Sequence, residues 1–537
     1  MRHRGMGLLG APVASLLLAS LVVFSLSTFV ADAARAVPAI AFPDGVGSGD
    51  VTSTSAVVWT RVDRALPLKI EVSTSASFSG REAYKQTVHP SAGDDLTVKA
   101  LATPLEPGTT YYFRWRHGSA ISPVGSFVTA PAPEASADVR FAYTADSDGL
   151  QQTFFGNDFP VLDAVRAESP DFWIYLGDTI YSDSSLRTAA GLSPAAVTLD
   201  EYRAAYKFNR SITALPNLMQ STSTVAIWDD HEVRNDYSGQ TVDPTRYANG
   251  RKAFVEYMPF LEMNLLEDPT CAGDPLFRVS HWGSEVDMIV LDERSCRSEQ
   301  ATASCLAAGV PDLAPTMPPA VRAAFAPLLP PTPPPGCVAA IFDPSRTMLG
   351  PVQKAAFKAA LLASTAKFKF VVNEVPIQQF YALPYDRWEG YGAERNELLA
   401  FIRDNGIANV IFLTTDMHAN LISNVFIDRF VAPAPISKEF VTGPIATFTF
   451  QDEIAAFAAG LPGPPPPAVV IGAFHQLLSL VGVLCRNIDR DAYGLVEVDA
   501  SAGTATLSFK DENGAVVTNS NPLAPLDTSA CTATIGP

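Results

Sequence analysis

The chain has no closely spaced cysteine pair, no surplus of basic residues and, beyond its N-terminal segment, no apolar run of membrane length. Each absence closes off a class of protein. Without close Cys pairs, the six cysteines do not read as a zinc site, and their even number suits structural disulfides. With 38 Lys and Arg against 56 Asp and Glu, the net charge of −18 repels a phosphate backbone, so no nucleic acid is expected as a structural partner. The apolar patch near the C-terminus is interrupted by Gly472, His475 and Gln476, and the closing NPLAPLDTSACTATIGP is no anchor.

What is present begins with residues 1–34. A basic start (Arg2, Arg4), an apolar stretch and small residues at Ala31, Ala33 and Ala34 form the layout of a secretory signal peptide. Cleavage would leave a secreted, periplasmic or extracellular protein. Left uncleaved, the stretch would be a membrane anchor, the one route to a membrane association. The length of 537 residues calls for two domains or one with large insertions. Six cysteines allow fifteen pairings, and Cys305 and Cys337, flanking a Pro-rich insert, are one candidate pair.

Residues 39–133 carry short alternating runs such as SAVVWTRV and TTYYFRWRH between Gly, Pro, Ser and Asp turns. They predict a small β-sandwich with no catalytic constellation. PAPEASAD then reads as a linker, and residues 139–520 as the catalytic domain. In that region apolar strands alternate with helical stretches, which predicts a layered α/β core. Pro-rich residues 311–335 and 461–467 read as insertions.

The polar residues follow the strands. Asp146 comes after the first apolar run, Asp178 and Tyr181 after the second, Asp230 and His231 after the third, Asn373 after the fourth, and Asp416 and His418 after the fifth. The third run opens WDDHEVRNDY, residues 228–237, the densest such cluster. One polar strand end is a cap; five in series describe a centre of two or three metal ions. Oxygen ligands suit hard cations, one or two histidines admit a transition metal, and adjacent cations suit hydrolysis of phosphate esters.

GDTIY, WDDHE, TDMH, LDERSCR and DPSRTMLGPVQ, in that setting, together resemble the PhoD-like alkaline phosphatase and phosphodiesterase family. FPDGVGSGDVTSTSAVVWTRV with LEPGTTYYFRW is similar to that family's N-terminal fibronectin-like module. The resemblance implies a four-layer metallophosphatase-type β-sandwich flanked by helices, preceded by a small all-β fibronectin- or Ig-like domain. It implies a monomeric, metal-dependent phosphoesterase that attacks phosphomonoesters and phosphodiesters with a metal-bound hydroxide. Fe3+ would be held by Asp146, Asp178, Tyr181 and His418. Ca2+, or another divalent ion such as Mn2+, Mg2+ or Zn2+, would share Asp178 and take Asp230, Asn373 and Asp416. His231 and Asp230 would be catalytic, with His231 and Arg294 facing the substrate and Glu232 as support. Asp229 is either a ligand of a further calcium or the orienting partner of His231; Asn235 is either a ligand or a turn residue.

The chain departs from the family at three places. Asp146 stands where a Cys is common, RHRG lacks a twin-arginine pair, and AYG at residues 492–494 replaces a His-Gly pair. A phospholipase D-type phosphodiesterase is the alternative enzyme, and a non-catalytic secreted binding protein the alternative of another class. Asp148 is read as a loop carboxylate, Trp388 and Tyr391 as packing, Arg297 as substrate-facing or structural, His281 and His475 as structural, and Asn209 as part of a glycosylation sequon.

Overall fold

The computed structural model describes residues 40–263, 266–324, 329–460 and 466–536. The five apolar runs form the strands Val139–Ser147, Phe172–Leu176, Ser223–Ile227, Phe368–Val372 and Val410–Thr414. In the last four every residue is buried, as continuous apolar runs in parallel sheets require.

The strands belong to two sheets. Phe172–Leu176 lies parallel between Val139–Ser147 and Ser223–Ile227 in a ten-stranded sheet. Phe368–Val372 lies parallel between Val286–Val290 and Val410–Thr414 in a seven-stranded one. An antiparallel hairpin, Arg278–Trp282 with Val286–Val290, adds the edge strand, pairing Trp282 with Val286. Alternation along the second sheet sends Met288, Phe370, Val372 and Leu413 into the core shared with the first sheet. Ile289, Val371 and Phe412 point the other way, onto Phe357 and Leu361 of helix Gly350–Ala363 and Leu398 of helix Gly392–Asp404. Across the middle, Phe141 stacks on Phe172 at 4.7 Å and meets Phe370 edge-on at 5.1 Å. Helix Pro160–Ala167 covers the first sheet through Val161, Leu162 and Val165. The result is the layered α/β architecture.

The N-terminal sandwich also forms, but it is not a separate body. Its strand Val46–Gly49 pairs in parallel with Ser223–Ile227, aligning Gly49 with Thr224, so three strands of the sandwich extend the catalytic sheet. Gly49 makes this contact possible: a Cβ there would lie 2.3 Å from Thr224 O and 2.5 Å from Pro259 O. Trp59 Nε1 donates to Glu256 O across the same junction at 2.8 Å. The boundary expected at residues 131–138 is thus a connection in the chain and not a gap in the packing; residues Ile40–Pro537 form one compact unit. Edge pairing cannot be read from either strand alone.

Three disulfides staple the chain: Cys271–Cys296, the candidate pair Cys305–Cys337, and Cys485–Cys531. Within the first Pro-rich insertion, helix Pro319–Ala324 is fixed by a buried Arg322–Asp312 pair at 2.7 Å. The expected signal segment and residues 461–465 of the second insertion lie outside the described residues. Among the described residues no helix is long and apolar enough to cross a membrane.

Candidate metal centre

The parallel strands of both sheets end at a common edge, where α/β folds place their ligands. Asp146, Asp178, Asp416 and His418 all turn there with positive φ, at 56°, 48°, 69° and 50°. Each such residue costs roughly 1–3 kcal/mol and persists only if its surroundings fix it. They do. Glu232 Oε1 accepts from Thr179 N at 2.5 Å and Thr179 Oγ1 at 2.6 Å, while its Oε2 accepts from Asp229 N at 2.9 Å. Asn209 Nδ2 donates to Ser147 O and to Thr179 O, each at 2.9 Å. Two side chains therefore lash together the three loops behind the first sheet.

Asp146, Asp178 and His418 each present a ligand atom within 4.8 Å of the others, and Tyr181 OH is 3.1 Å from His418 Nε2. Asp178 belongs as well to a trio with Asp230 and His231. A carboxylate common to two trios can bridge two ions. Burial pushes Asp146 up to about 6, against the pull of His418. Burial, with Asp230 and Asp229 nearby, drives Asp178 well above the usual carboxylate range. Asp146 Oδ1 is buried without a hydrogen-bond partner. Crowded acids with an orphaned oxygen are costly as they stand and favourable around cations, so the residues fit a metal pair.

His231 stacks on Tyr181 with ring centroids 4.1 Å apart. Its Nδ1 is 2.5 Å from Asp183 Oδ1, which leaves Nε2 on the side of Asp230, 4.0 Å away. Burial opposes the imidazolium, but Asp178, Asp230 and Asp183 outweigh it and hold the ring well above its ordinary value. His418 is placed likewise: Nδ1 lies 2.8 Å from Glu453 Oε1, and Glu453 with Asp146 overcomes burial to raise it to about 9. A cavity of about 570 Å3 opens over Tyr181, His231 and His418, with Asn235 on its wall.

Several expectations change. Arg294 does not face a substrate: with no exposure it binds Asp229, and its Nη2 lies 2.9 Å from Asp386 Oδ2 and 3.8 Å from Asp416. Arg297, equally buried, joins Asp386 and Tyr391, so it too is structural. Asn373 is oriented by hydrogen bonds: its oxygen accepts from Trp388 Nε1 at 2.9 Å and its nitrogen donates to Val375 O and Thr414 Oγ1. Asp229 Oδ1 accepts from Arg294 Nε, and its Oδ2 is buried without a hydrogen-bond partner. Asn235 donates its backbone N–H to Asp183. Asn209 is buried at 4% exposure, so its sequon is closed. Asp148 accepts from Leu150 N and Ser184 Oγ beside the cavity; Trp388 and Tyr391 pack, and His281 is exposed beside Asp287.

Four carboxylates were missed. Asp183 and Glu453 hold the two histidines, and Asp236 with Asp386 forms a third trio around Asp230. The repulsion of Asp386, with burial, lifts Asp236 to about 7. Asp183 stood in the YSD that closes the GDTIY stretch and Asp236 in WDDHEVRND; Asp386 and Glu453 gave no local signal.

Two face-to-face sheets with acids and histidines at their strand ends define a phosphoester hydrolase of the metallophosphatase type. Residues 150–464 match the model of the PhoD-like phosphatase family, and residues 29–131 match that of the PhoD-like phosphatase N-terminal domain. The chain belongs to the PhoD-like phosphatase family. It is 28% identical to alkaline phosphatase D of Bacillus subtilis (strain 168) over 459 residues, 78% of this chain and 71% of the relative. The solved structure of PhoD superposes with a TM-score of 0.70 at 24% identity, covering 92% of this chain and 89% of that one. A purple acid phosphatase from yellow lupin seeds shares the fold at a TM-score of 0.52 and 10% identity, over 93% of this chain and 74% of its own.

Proposed function

We propose that the protein hydrolyses phosphomonoesters and phosphodiesters outside the cytoplasm, at neutral to alkaline pH, with Fe3+ at the Asp146, Asp178, Tyr181 and His418 site and a divalent ion such as Ca2+ beside Asp230. The observation that carries this reading is the sharing of Asp178 between two ligand trios, with the imidazole of His231 at their edge. Three disulfides favour an oxidising compartment. Hard oxygen donors with one histidine suit Fe3+, and carboxylates alone suit calcium.

Bound ions would polarise the phosphoryl oxygen and activate a water. The protein's own residues do the rest. Asp178 sets the spacing of the two sites, and Glu453 fixes the ring of His418. Asp183 accepts from His231 Nδ1, so that Nε2 carries the proton toward the leaving oxygen or holds a phosphoryl oxygen. Stacking on Tyr181 braces that ring in the cavity wall. The test is elemental analysis of purified protein with monoester and diester assays before and after chelation. Iron with calcium and loss of turnover on chelation is the expected result; no bound metal and no effect of chelator would overturn it.

A further inference from the structure

The mouth of the active-site cavity carries a feature the chemistry does not require. Phe448 lines the cavity beside Thr447 and is 41% exposed. Phe155, 61% exposed, meets it edge-on with ring centroids 6.1 Å apart. Two phenyl rings that touch each other and still face water form an apolar surface waiting for contact. Both are anchored to the metal centre. Phe155 ends the short helix Leu150–Phe155, which starts from the Asp146–Asp148 turn. Phe448 lies between the strand Pro444–Ala446, paired with Val139–Ser147, and the helix Phe450–Ala459, whose Phe450 N donates to His418 O at 2.9 Å. The rings are thus fixed relative to Asp146 and His418.

The charge of the wall points the same way. Besides the metal-type residues, the cavity is lined by Asp148, Asp183, Asp452 and Glu453, and no Lys or Arg occurs among its described lining residues. Arg246 stands 4.0 Å from Asp183 but does not reach the lining. Cations in the centre would be matched by their own ligand carboxylates. A reacting phosphoryl group is served by those cations; a further negative group on the substrate would meet only carboxylates.

We propose that the site selects phosphodiesters in which one esterified alcohol is uncharged and apolar or aromatic, seated on Phe155 and Phe448, and that it disfavours substrates carrying additional anionic groups. This rests on the phosphoesterase reading above and narrows its substrate class. The apolar contact acts on binding of the ester group, so its effect falls mainly in KM.

The experiment compares three diesters with the same 4-nitrophenolate leaving group on the metal-loaded protein: methyl, phenyl and 4-carboxyphenyl 4-nitrophenyl phosphate. Phenyl is expected to exceed methyl by roughly tenfold in kcat/KM, the scale of one aromatic contact plus its buried area. The 4-carboxyphenyl ester is expected to fall below phenyl, with the gap closing as salt is raised. In F155A/F448A the phenyl-to-methyl ratio should collapse toward one. Equal rates for phenyl and methyl in the wild type, or a ratio that survives in F155A/F448A, would overturn the proposal while leaving the hydrolase reading intact. Absence of turnover with all three esters and with 4-nitrophenyl phosphate would instead overturn the hydrolase reading.

Discussion

Asp183 Oδ1 lies 2.5 Å from His231 Nδ1, and the second carboxylate oxygen of Asp183 accepts the backbone N–H of Asn235 at 2.8 Å. One side chain therefore fixes both the ring and the loop that carries it. Replacing Asp183 by Asn keeps the size but removes the charge that favours a proton on His231. Turnover of alkyl esters should drop by about 10–100-fold. Esters of 4-nitrophenol, whose leaving group needs no proton, should lose much less. Paired kcat measurements on an alkyl and a 4-nitrophenyl ester check this.

Asp178 serves both ligand trios, so its loss should be felt at both. Asp178→Asn should remove bound metal and activity together, with kcat down by at least about 1000-fold. Elemental analysis beside the assay reads out both. Full activity in a metal-free variant would sink the assignment.

The N-terminal sandwich is welded to the catalytic sheet through Gly49 and Thr224. Gly49→Ala places a methyl group against Thr224 O and Pro259 O and should destabilise the chain by roughly 3 kcal/mol or more. Removing residues 40–133 would bare the edge of Ser223–Ile227, and an uncovered apolar edge strand aggregates. Denaturant unfolding of the point variant and size-exclusion chromatography of the truncation test the two halves of this prediction.

His475 is 1% exposed and neither ring nitrogen has a hydrogen-bond partner. Burial, helped by Arg486, lowers it to about 4. Its folded pKa lies below the unfolded value near 6.5, so the unfolded chain takes up the proton first. The stability it contributes is complete above about pH 6.5 and is lost as pH falls toward 4, by about 1–3 kcal/mol. His475→Leu should flatten that part of the profile. Melting temperatures at pH 7 and pH 5 for both proteins provide the check.

The strands and the polar residues behind them were legible because both are local. Continuous Val, Ile and Phe runs specify buried strands wherever they fall, and the polar residue that follows each is placed by the chain itself. Thus Asp146, Asp178, Asp230 and His418 could be named from their neighbours in sequence. Arg294 and Asn373 could not be resolved this way. Each also follows a strand, but its side-chain partners come from segments distant in the chain, Asp229 and Asp386 for the one and Trp388 for the other.

The sequence alone determined the layered fold and the run of polar residues at the strand ends, since periodicity and short-range order suffice for these. Only the tertiary structure decided which carboxylates hold the two histidines. Asp183 reaches His231 across 48 positions and Glu453 reaches His418 across 35. It also decided that the sandwich shares the catalytic sheet and that an aromatic lip stands at the cavity. Contacts of that kind arise from the packing of distant segments, and no local pattern encodes them.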